Sequence, residues 1–239
     1  NLFIPNPDLG PEESDTWEIG AGVDFDGIFF ADDAFTAKAS YYNSKVDNLI
    51  GLDVNTPLGC FFTPATAPPG LPPFLIASMP CGTGEAFGNT SQNVNIANAE
   101  IEGVEVEFAY DAEYFYTRGN VTSIDGVDVD TGEFLEGVLT PNTLFIDTGL
   151  QWAPWGLRGG VRMTFADDFT EVNDLGEERA GFIFGDIYAM WEPPIAALEG
   201  VRVDLGIDNV ADTDFEIVNA GVSQPGRNFK LAVSWSRGF

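Results

Sequence analysis

The closing stretch of the chain, Gln224 to Phe239, constrains the fold more than any other. From Phe229 it alternates without exception. Phe229, Leu231, Val233 and Trp235 share one parity, and Lys230, Ala232, Ser234, Ser236 and Gly238 share the other. Side chains along a strand point to opposite faces with period two. One face is therefore apolar and aromatic, and the other small or polar. The run has about the ten residues that a tilted strand needs to cross a hydrocarbon core. A lone strand of this kind is compatible with the edge of a soluble β-sandwich, but an exposed apolar edge invites aggregation. A closed barrel in a membrane removes the edge and turns the pattern around, apolar outside and polar inside.

The same alternation recurs upstream. Trp17, Ile19, Ala21, Val23 and Phe25 oppose Glu18, Gly20, Gly22 and Asp24, so Ser14–Phe25 reads as a strand, and Phe35–Ile50 as the next. Asn95–Tyr110 sets Val104, Val106, Phe108 and Tyr110 against Gly103, Glu105, Glu107 and Ala109. Tyr114–Val121, Leu144–Trp152, Leu157–Phe165, Ile183–Trp191 and Val201–Ile207 follow, and Arg227–Phe239 closes the series. The pattern predicts about nine strands. Short turns at Asp26–Ala34, Asp111–Glu113, Ala153–Gly156 and Glu192–Gly200 alternate with long connections. Short periplasmic turns and long external loops are the asymmetry of outer-membrane barrels. Trp17, Tyr41, Tyr110, Trp152, Trp191 and Trp235 are placed to form interfacial girdles. Val104, Val106, Phe108, Leu231 and Val233 are expected to face lipid. Glu105, Glu107, Arg118, Asn120, Arg158, Arg162, Asp186 and Asp204 are expected to face a wet lumen.

Other stretches are read as loop. The three prolines Pro5, Pro7 and Pro11 exclude regular structure from Asn1 to Glu13. Gly51–Asn93 is long and rich in Pro and Gly, which is ordinary for an external barrel loop and unusual in a compact domain. It holds the two cysteines of the chain, Cys60 and Cys81. They are expected to close a disulfide across that loop, the alternative being two free thiols. Ile124–Gly137 is acidic and only faintly like a calcium loop, its ligand spacing being incomplete; a solvated acidic loop is the expectation.

Composition excludes several function classes. Thirty-eight acidic against ten basic residues give a net charge of −28, which argues against a nucleic-acid partner. The chain has no histidine, so neither imidazole catalysis nor a His-ligated metal or heme can be supplied by its own residues. No metal-ligand spacing, nucleophile elbow or phosphate loop is present. Glu105 and Glu107 are close enough in sequence for paired acid–base work, but same-face carboxylates on one strand read as lumen polarity. No catalytic residue is assigned, and no ligand-contacting residue can be read from the sequence.

Several motifs then resemble one family. Asn6-Pro7-Asp8-Leu9-Gly10-Pro11-Glu12, with Ser14, Trp17, Glu18 and Gly20 after it, resembles the corresponding segment of TonB-dependent outer-membrane receptors. Ala99-Glu100-Ile101-Glu102-Gly103-Val104-Glu105 is similar to one of their barrel strands. Asp208-Asn209-Val210, then Pro225-Gly226-Arg227 and a closing strand ending in Phe239, is similar to their C-terminus. The resemblance implies an all-β antiparallel transmembrane barrel of roughly 22 strands around a plug. Nine strands that start and end by descending are an odd number, so residues 1–239 are expected to be the C-terminal portion of such a barrel. The plug and the first barrel half would then lie upstream. The terminal Phe239 resembles the signal by which these barrels are handed to their assembly machinery.

Trp17-Glu18-Ile19-Gly20 and Tyr41–Ile50 look most like the heme, hemoglobin and hemophore branch. The resemblance therefore implies import of heme or another ferric chelate as transported ligand, with no cofactor held by this part of the chain. The implied partners are outer-membrane lipid, the TonB energy-coupling complex acting through the plug, and an extracellular heme carrier. A ferric-siderophore receptor is the close rival, and a passive porin the second alternative.

Overall fold

A computed structural model describes residues 2–3, 5–56, 90–135, 139–169, 178–216 and 223–236. Cys60, Cys81 and Phe239, and with them the expected disulfide and assembly signal, lie outside the described residues. The fold is one β-sheet. Its strands are β1 (Leu2–Phe3), β2 (Glu13–Asp26), β3 (Ala34–Thr56), β4 (Thr90–Asp111), β5 (Phe115–Asp128), β6 (Thr143–Trp152), β7 (Leu157–Ala166), β8 (Phe182–Trp191), β9 (Val201–Asp208) and β10 (Asn228–Trp235). Strands β2 to β10 follow one another in chain order, so the sheet is a nine-strand antiparallel meander. Among the described residues β2 and β10 are its edges, and β1 adds a short parallel pair, Leu2 to Thr90 and Phe3 to Ser91.

The expected strand count holds for the meander, and three boundaries need correction. Leu2–Phe3 pairs with β4 although prolines follow at once, because Pro removes a donor only at its own position. The long loop is shorter than expected at both ends: β3 continues to Thr56 and β4 begins at Thr90. Likewise β5 runs to Asp128, through the first part of the segment read as an acidic loop. In the last two cases the added residues are mostly polar or glycine, so the apolar alternation thins out along the sequence, yet the strands continue.

The described residues fall into two compact units. One comprises Asn1–Asp15, Lys45–Ala99 and Val129–Thr131, and the other Thr16–Ser44, Glu100–Asp128 and Gly132–Phe239. In the second unit the usual distribution of side chains is inverted. Leu231 and Val233 of β10 are 69% and 67% exposed, Leu205 of β9 is 52% exposed, and Ile187, Val161 and Leu150 share that open face. Asp147 and Asp33 are 0% and 2% exposed. A sheet in water buries its apolar face, and an open apolar surface this wide marks contact with lipid or with another protein. The register aligns the apolar row from strand to strand: Thr148 faces Val161, Val161 faces Ile187, Ile187 faces Ile207, and Ile207 faces Phe229.

Aromatic contacts mark two levels on this face. Near the short turns, Tyr114 meets Trp152 at 5.3 Å between ring centroids, and Tyr110 meets Phe29 at 5.9 Å and Phe115 at 6.3 Å. Trp17 and Tyr41 pair at 5.3 Å farther from the turns. From Trp17 to Phe25 is about 27 Å along a strand, or about 20 Å across a bilayer at the usual barrel tilt, close to the apolar band of such barrels. Placing Arg at Leu231 of a full-length barrel should therefore cost about 2–4 kcal/mol, and at Ser234, on the opposite face, less than about 1 kcal/mol. Urea midpoints in lipid vesicles measure both. Equal costs would contradict the assignment of faces.

The turns are built locally. Gly156 adopts φ +63°, the left-handed conformation that closes the 3-10 turn Ala153–Trp155 at least cost, and its N–H donates to the Ala153 carbonyl at 3.0 Å. In the β2–β3 turn the Asp33 carboxylate accepts from the N–H groups of Ile28, Phe29 and Phe30 at 2.6, 2.8 and 2.9 Å and from the Tyr110 hydroxyl at 2.8 Å. Burial works against ionisation of Asp33. The Phe29 and Phe30 N–H groups, the Tyr110 hydroxyl and the Ile28 N–H outweigh it and hold the carboxyl below the ordinary Asp range.

Candidate functional site

The polar face of the second unit carries its most concentrated chemistry. Cross-strand pairing puts Arg118 of β5 opposite Asp147 of β6, Asp147 opposite Arg162 of β7, and Arg162 opposite Asp186 of β8. Asp147 is fully buried. Its Oδ2 accepts from Arg118 Nη2 at 2.7 Å and Nε at 3.1 Å, with Arg162 Nε 3.7 Å away. Its Oδ1 accepts from the Tyr188 hydroxyl at 2.6 Å, and the Tyr188 and Tyr116 hydroxyls bond to each other.

Two further guanidinium contacts complete the cluster. Arg158 stacks over the Tyr116 ring at 3.9 Å, and Arg162 over the Tyr188 ring at 4.3 Å. Tyr116 fits here because glycines sit beneath its hydroxyl: a Cβ at Gly149 would collide with the Tyr116 oxygen, and one at Gly160 would come within 2.6 Å of it. Sequence reasoning placed Arg118, Arg158 and Arg162 on the inner face. It singled out neither Asp147 nor the tyrosines, whose convergence depends on strand register.

The cluster borders a recess of about 430 Å³ lined by Arg118, Arg158, Arg162, Arg202 and Lys230, with Asp186, Asp204 and Asp208 among them. Half of the ten basic residues of a strongly acidic chain thus face one recess. Arg202 is held by Asp204 at 2.7 Å and Lys230 by Asp208. A neighbouring recess of about 420 Å³ shares Arg162, Asp186, Asp208 and Lys230 and adds Phe184 and Phe215. Phe215 stacks on Phe184 at 4.7 Å and on Phe182 at 4.5 Å. These rings were missed by the sequence reading, since the polar face was expected to carry no large apolar side chains. A flat apolar shelf beside fixed cations suits the recognition of an amphipathic anion.

The family-motif residues at the C-terminal end come together. Asn209 adopts φ +46° and is 3% exposed. Its side chain accepts from the Thr213 N–H at 2.8 Å and donates to the carbonyls of Thr213 at 2.8 Å and Pro225 at 3.4 Å, while its own N–H donates to Asp186 at 2.9 Å. Arg227 donates from its N–H to Asp212 at 2.7 Å and from Nε to the Val210 carbonyl at 2.9 Å. Gly226 lies so close that a Cβ there would sit 2.6 Å from the Asp212 oxygen. Asn209, Pro225, Gly226 and Arg227 therefore form a clasp at the base of the connection from β9 to β10. Asn209→Ala in the full-length protein should cost about 2–3 kcal/mol, from unpaired buried groups and a left-handed backbone. Asn209→Gly should recover the backbone part only. Urea unfolding separates the two, and an Ala variant as stable as the parent would contradict the clasp.

The N-terminal motif has a matching role inside the first unit. Asn6 accepts from the Asp8 N–H at 3.1 Å, an Asx turn, and donates to the Asn93 carbonyl at 3.0 Å. Gly10 and Asn95 exchange bonds of 2.8 and 3.2 Å, and Glu12 accepts from the Ile50 N–H at 2.9 Å. Leu9 is half-buried in this segment, and Pro7 and Pro11 are exposed. The motif ties 5–12 to β3 and β4 rather than presenting free ligands. Glu18 is exposed on β2, two residues from Gly20, whose missing Cβ leaves room for Ser40. Gly103 lies under the Tyr42 ring, on the same face as Glu105.

Comparison with known proteins completes the description. The family described as TonB dependent receptor-like, beta-barrel matches residues 1–210. The heme/hemopexin utilization protein C of Haemophilus influenzae is 26% identical over 99% of this chain, which spans 31% of that protein. Among solved structures, the copper transporter OprC superposes with a TM-score of 0.70 at 16% identity, covering 96% of this chain and 32% of its own. A double mutant of the Serratia marcescens hemophore receptor HasR, in complex with its hemophore HasA and heme, gives 0.65 at 20% identity, covering 98% and 32%.

Proposed function

Because the chain belongs to the TonB-dependent receptor β-barrel family, we propose that it supplies part of the wall of an outer-membrane receptor that imports heme by TonB-coupled active transport. The observation that carries the heme assignment is the similarity to a heme/hemopexin utilization protein along 99% of the chain. The fold similarity to a copper transporter and to a hemophore receptor supports the barrel and leaves the ligand to the sequence relatives. The chain spans about a third of the length of those relatives.

In this reading β2–β10 are nine wall strands. The apolar face meets lipid, and the arginine-bearing face lines the lumen. The remaining wall strands and the plug that couples to TonB lie in the rest of the protein. The wall itself does no bond chemistry; it binds, encloses and repositions. With no histidine among the 239 residues, an imidazole on the heme iron would have to come from elsewhere in the receptor. A carrier such as a hemophore or hemoprotein is the proposed source of heme.

Growth of a deletion strain on defined iron sources tests the assignment. Loss of growth on heme or a heme carrier, with growth on ferric siderophores intact and heme growth restored by the gene, is the expected result. The reverse pattern would assign the receptor to siderophores, and unchanged growth on all of them would remove the iron-transport reading.

A further inference from the structure

We propose that the exposed edges of Arg118, Arg158 and Arg162 form a carboxylate-binding site on the lumen wall. The inference rests on reading this face as the inner face of a receptor barrel. Two of the three guanidinium groups, those of Arg118 and Arg162, share one carboxylate, Asp147. Arg202 and Lys230 are each committed to a partner, and Asp186, opposite Arg162, is engaged by the Asn209 N–H. Arg158 has no carboxylate partner among the described residues; it is fixed by stacking on Tyr116.

Asp147 accepts from Nε and Nη2 of Arg118 and lies 3.7 Å from Nε of Arg162, which leaves Nη1 of Arg118 and both terminal nitrogens of Arg162 outside its hydrogen bonds. The Arg118 and Arg162 side chains remain 56% and 44% exposed. Their free N–H groups face the recess, held in place by Asp147, Tyr116 and Tyr188. A guanidinium fork matches a carboxylate bidentately, and a pre-positioned fork loses little entropy on binding. In a chain of net charge −28, a rigid row with a local excess of positive charge is a receptor for an anion and not general surface polarity. The adjoining Phe182, Phe184 and Phe215 stack gives an aromatic anion a surface to lie against.

The carboxylate has two candidate sources. One is the pair of propionates on heme during passage. The other is an acidic side chain of the portion of the receptor enclosed by the barrel. Both arms use the purified full-length receptor in detergent. The first compares binding of metal-free protoporphyrin IX, which needs no axial ligand, with its dimethyl ester, for the parent and for Arg158→Gln/Arg162→Gln. The second follows amide hydrogen exchange of the enclosed portion for the same proteins at low and high salt.

If the ligand supplies the carboxylate, the parent binds the diacid at least about tenfold more tightly than the diester, and the double variant loses that preference. If the protein supplies it, porphyrin preference is unchanged while exchange of the enclosed portion rises in the variant, an effect mimicked in the parent by high salt. Arg158→Lys with Arg162→Lys should restore only the charge-dependent part of either effect, since an ammonium reproduces neither the fork nor the stacking. A parent with no diacid preference and salt-independent exchange overturns the site without recourse to any variant. Failure of the heme assignment would show separately, as unchanged growth of the deletion strain on heme.

Discussion

Asp147→Ala in the full-length receptor should destabilise the barrel by about 2–4 kcal/mol, the largest loss expected from any single truncation on the inner wall. The carboxylate is fully buried and holds Arg118 at 2.7 Å and Tyr188 at 2.6 Å, with Arg162 at 3.7 Å. Removing one partner of a fully buried ion pair costs about 3–5 kcal/mol, because the other charge is left uncompensated. Here the cost should be lower, since Arg118 and Arg162 are 56% and 44% exposed and can rehydrate in a wet lumen. The Tyr188 hydroxyl loses its acceptor and keeps only Tyr116. Asp147→Asn should keep the Tyr188 bond and lose the charge, and so fall between parent and Ala. Urea midpoints in lipid vesicles measure all three. In a cycle with Arg118→Ala, the two losses should be markedly less than additive, because they remove the same interaction. A loss below about 0.5 kcal/mol for Asp147→Ala, or full additivity, would mean that the buried carboxylate does not organise the arginine row.

The strands were legible in the sequence wherever their two faces meet different media. Along β9 and β10, Val201 to Ile207 and Phe229 to Trp235 put every large apolar side chain on one parity, and the register of the sheet keeps them there. The signal thins out in 51–56, 90–94 and 122–128, where the strands persist but most residues are polar or glycine. Boundaries failed there for a physical reason: the ladder hydrogen bonds that extend a strand carry no side-chain code.

The site was legible in a more limited way. The inward parity of Arg118, Arg158 and Arg162 follows from alternation alone. That Asp147 lies between two of them, and that Tyr116 and Tyr188 meet above it, depends on which residue of each strand faces which, and a single sequence does not encode register visibly. Phe182 and Phe184 break the apolar-out rule, and Phe215 arrives from a loop to stack on both. The Asn209 and Arg227 clasp was visible only as a family resemblance. Its geometry brings together residues 16 apart across a connection whose path no periodicity predicts.

The second large effect concerns the edges of the sheet. Among the described residues β10 pairs only with β9, and β2 lies at the far end of the strand order. Alternate residues of the eight in β10 point N–H and C=O groups away from β9, roughly eight groups in all. Each unpaired group costs several kcal/mol in hydrocarbon. The sum, tens of kcal/mol, exceeds the roughly 5–15 kcal/mol by which a folded domain is stable. Nine strands with open edges are therefore not expected to sit in a bilayer alone. In our reading the edges are satisfied by wall strands from the rest of a receptor about three times as long. Residues 1–239, expressed with an export signal, should yield no heat-modifiable species in outer-membrane fractions and should be degraded by protease. The full-length receptor should show a compact, protease-resistant form that shifts on boiling. A heat-modifiable, protease-resistant barrel assembled from residues 1–239 alone would contradict the account of this chain as part of a larger wall.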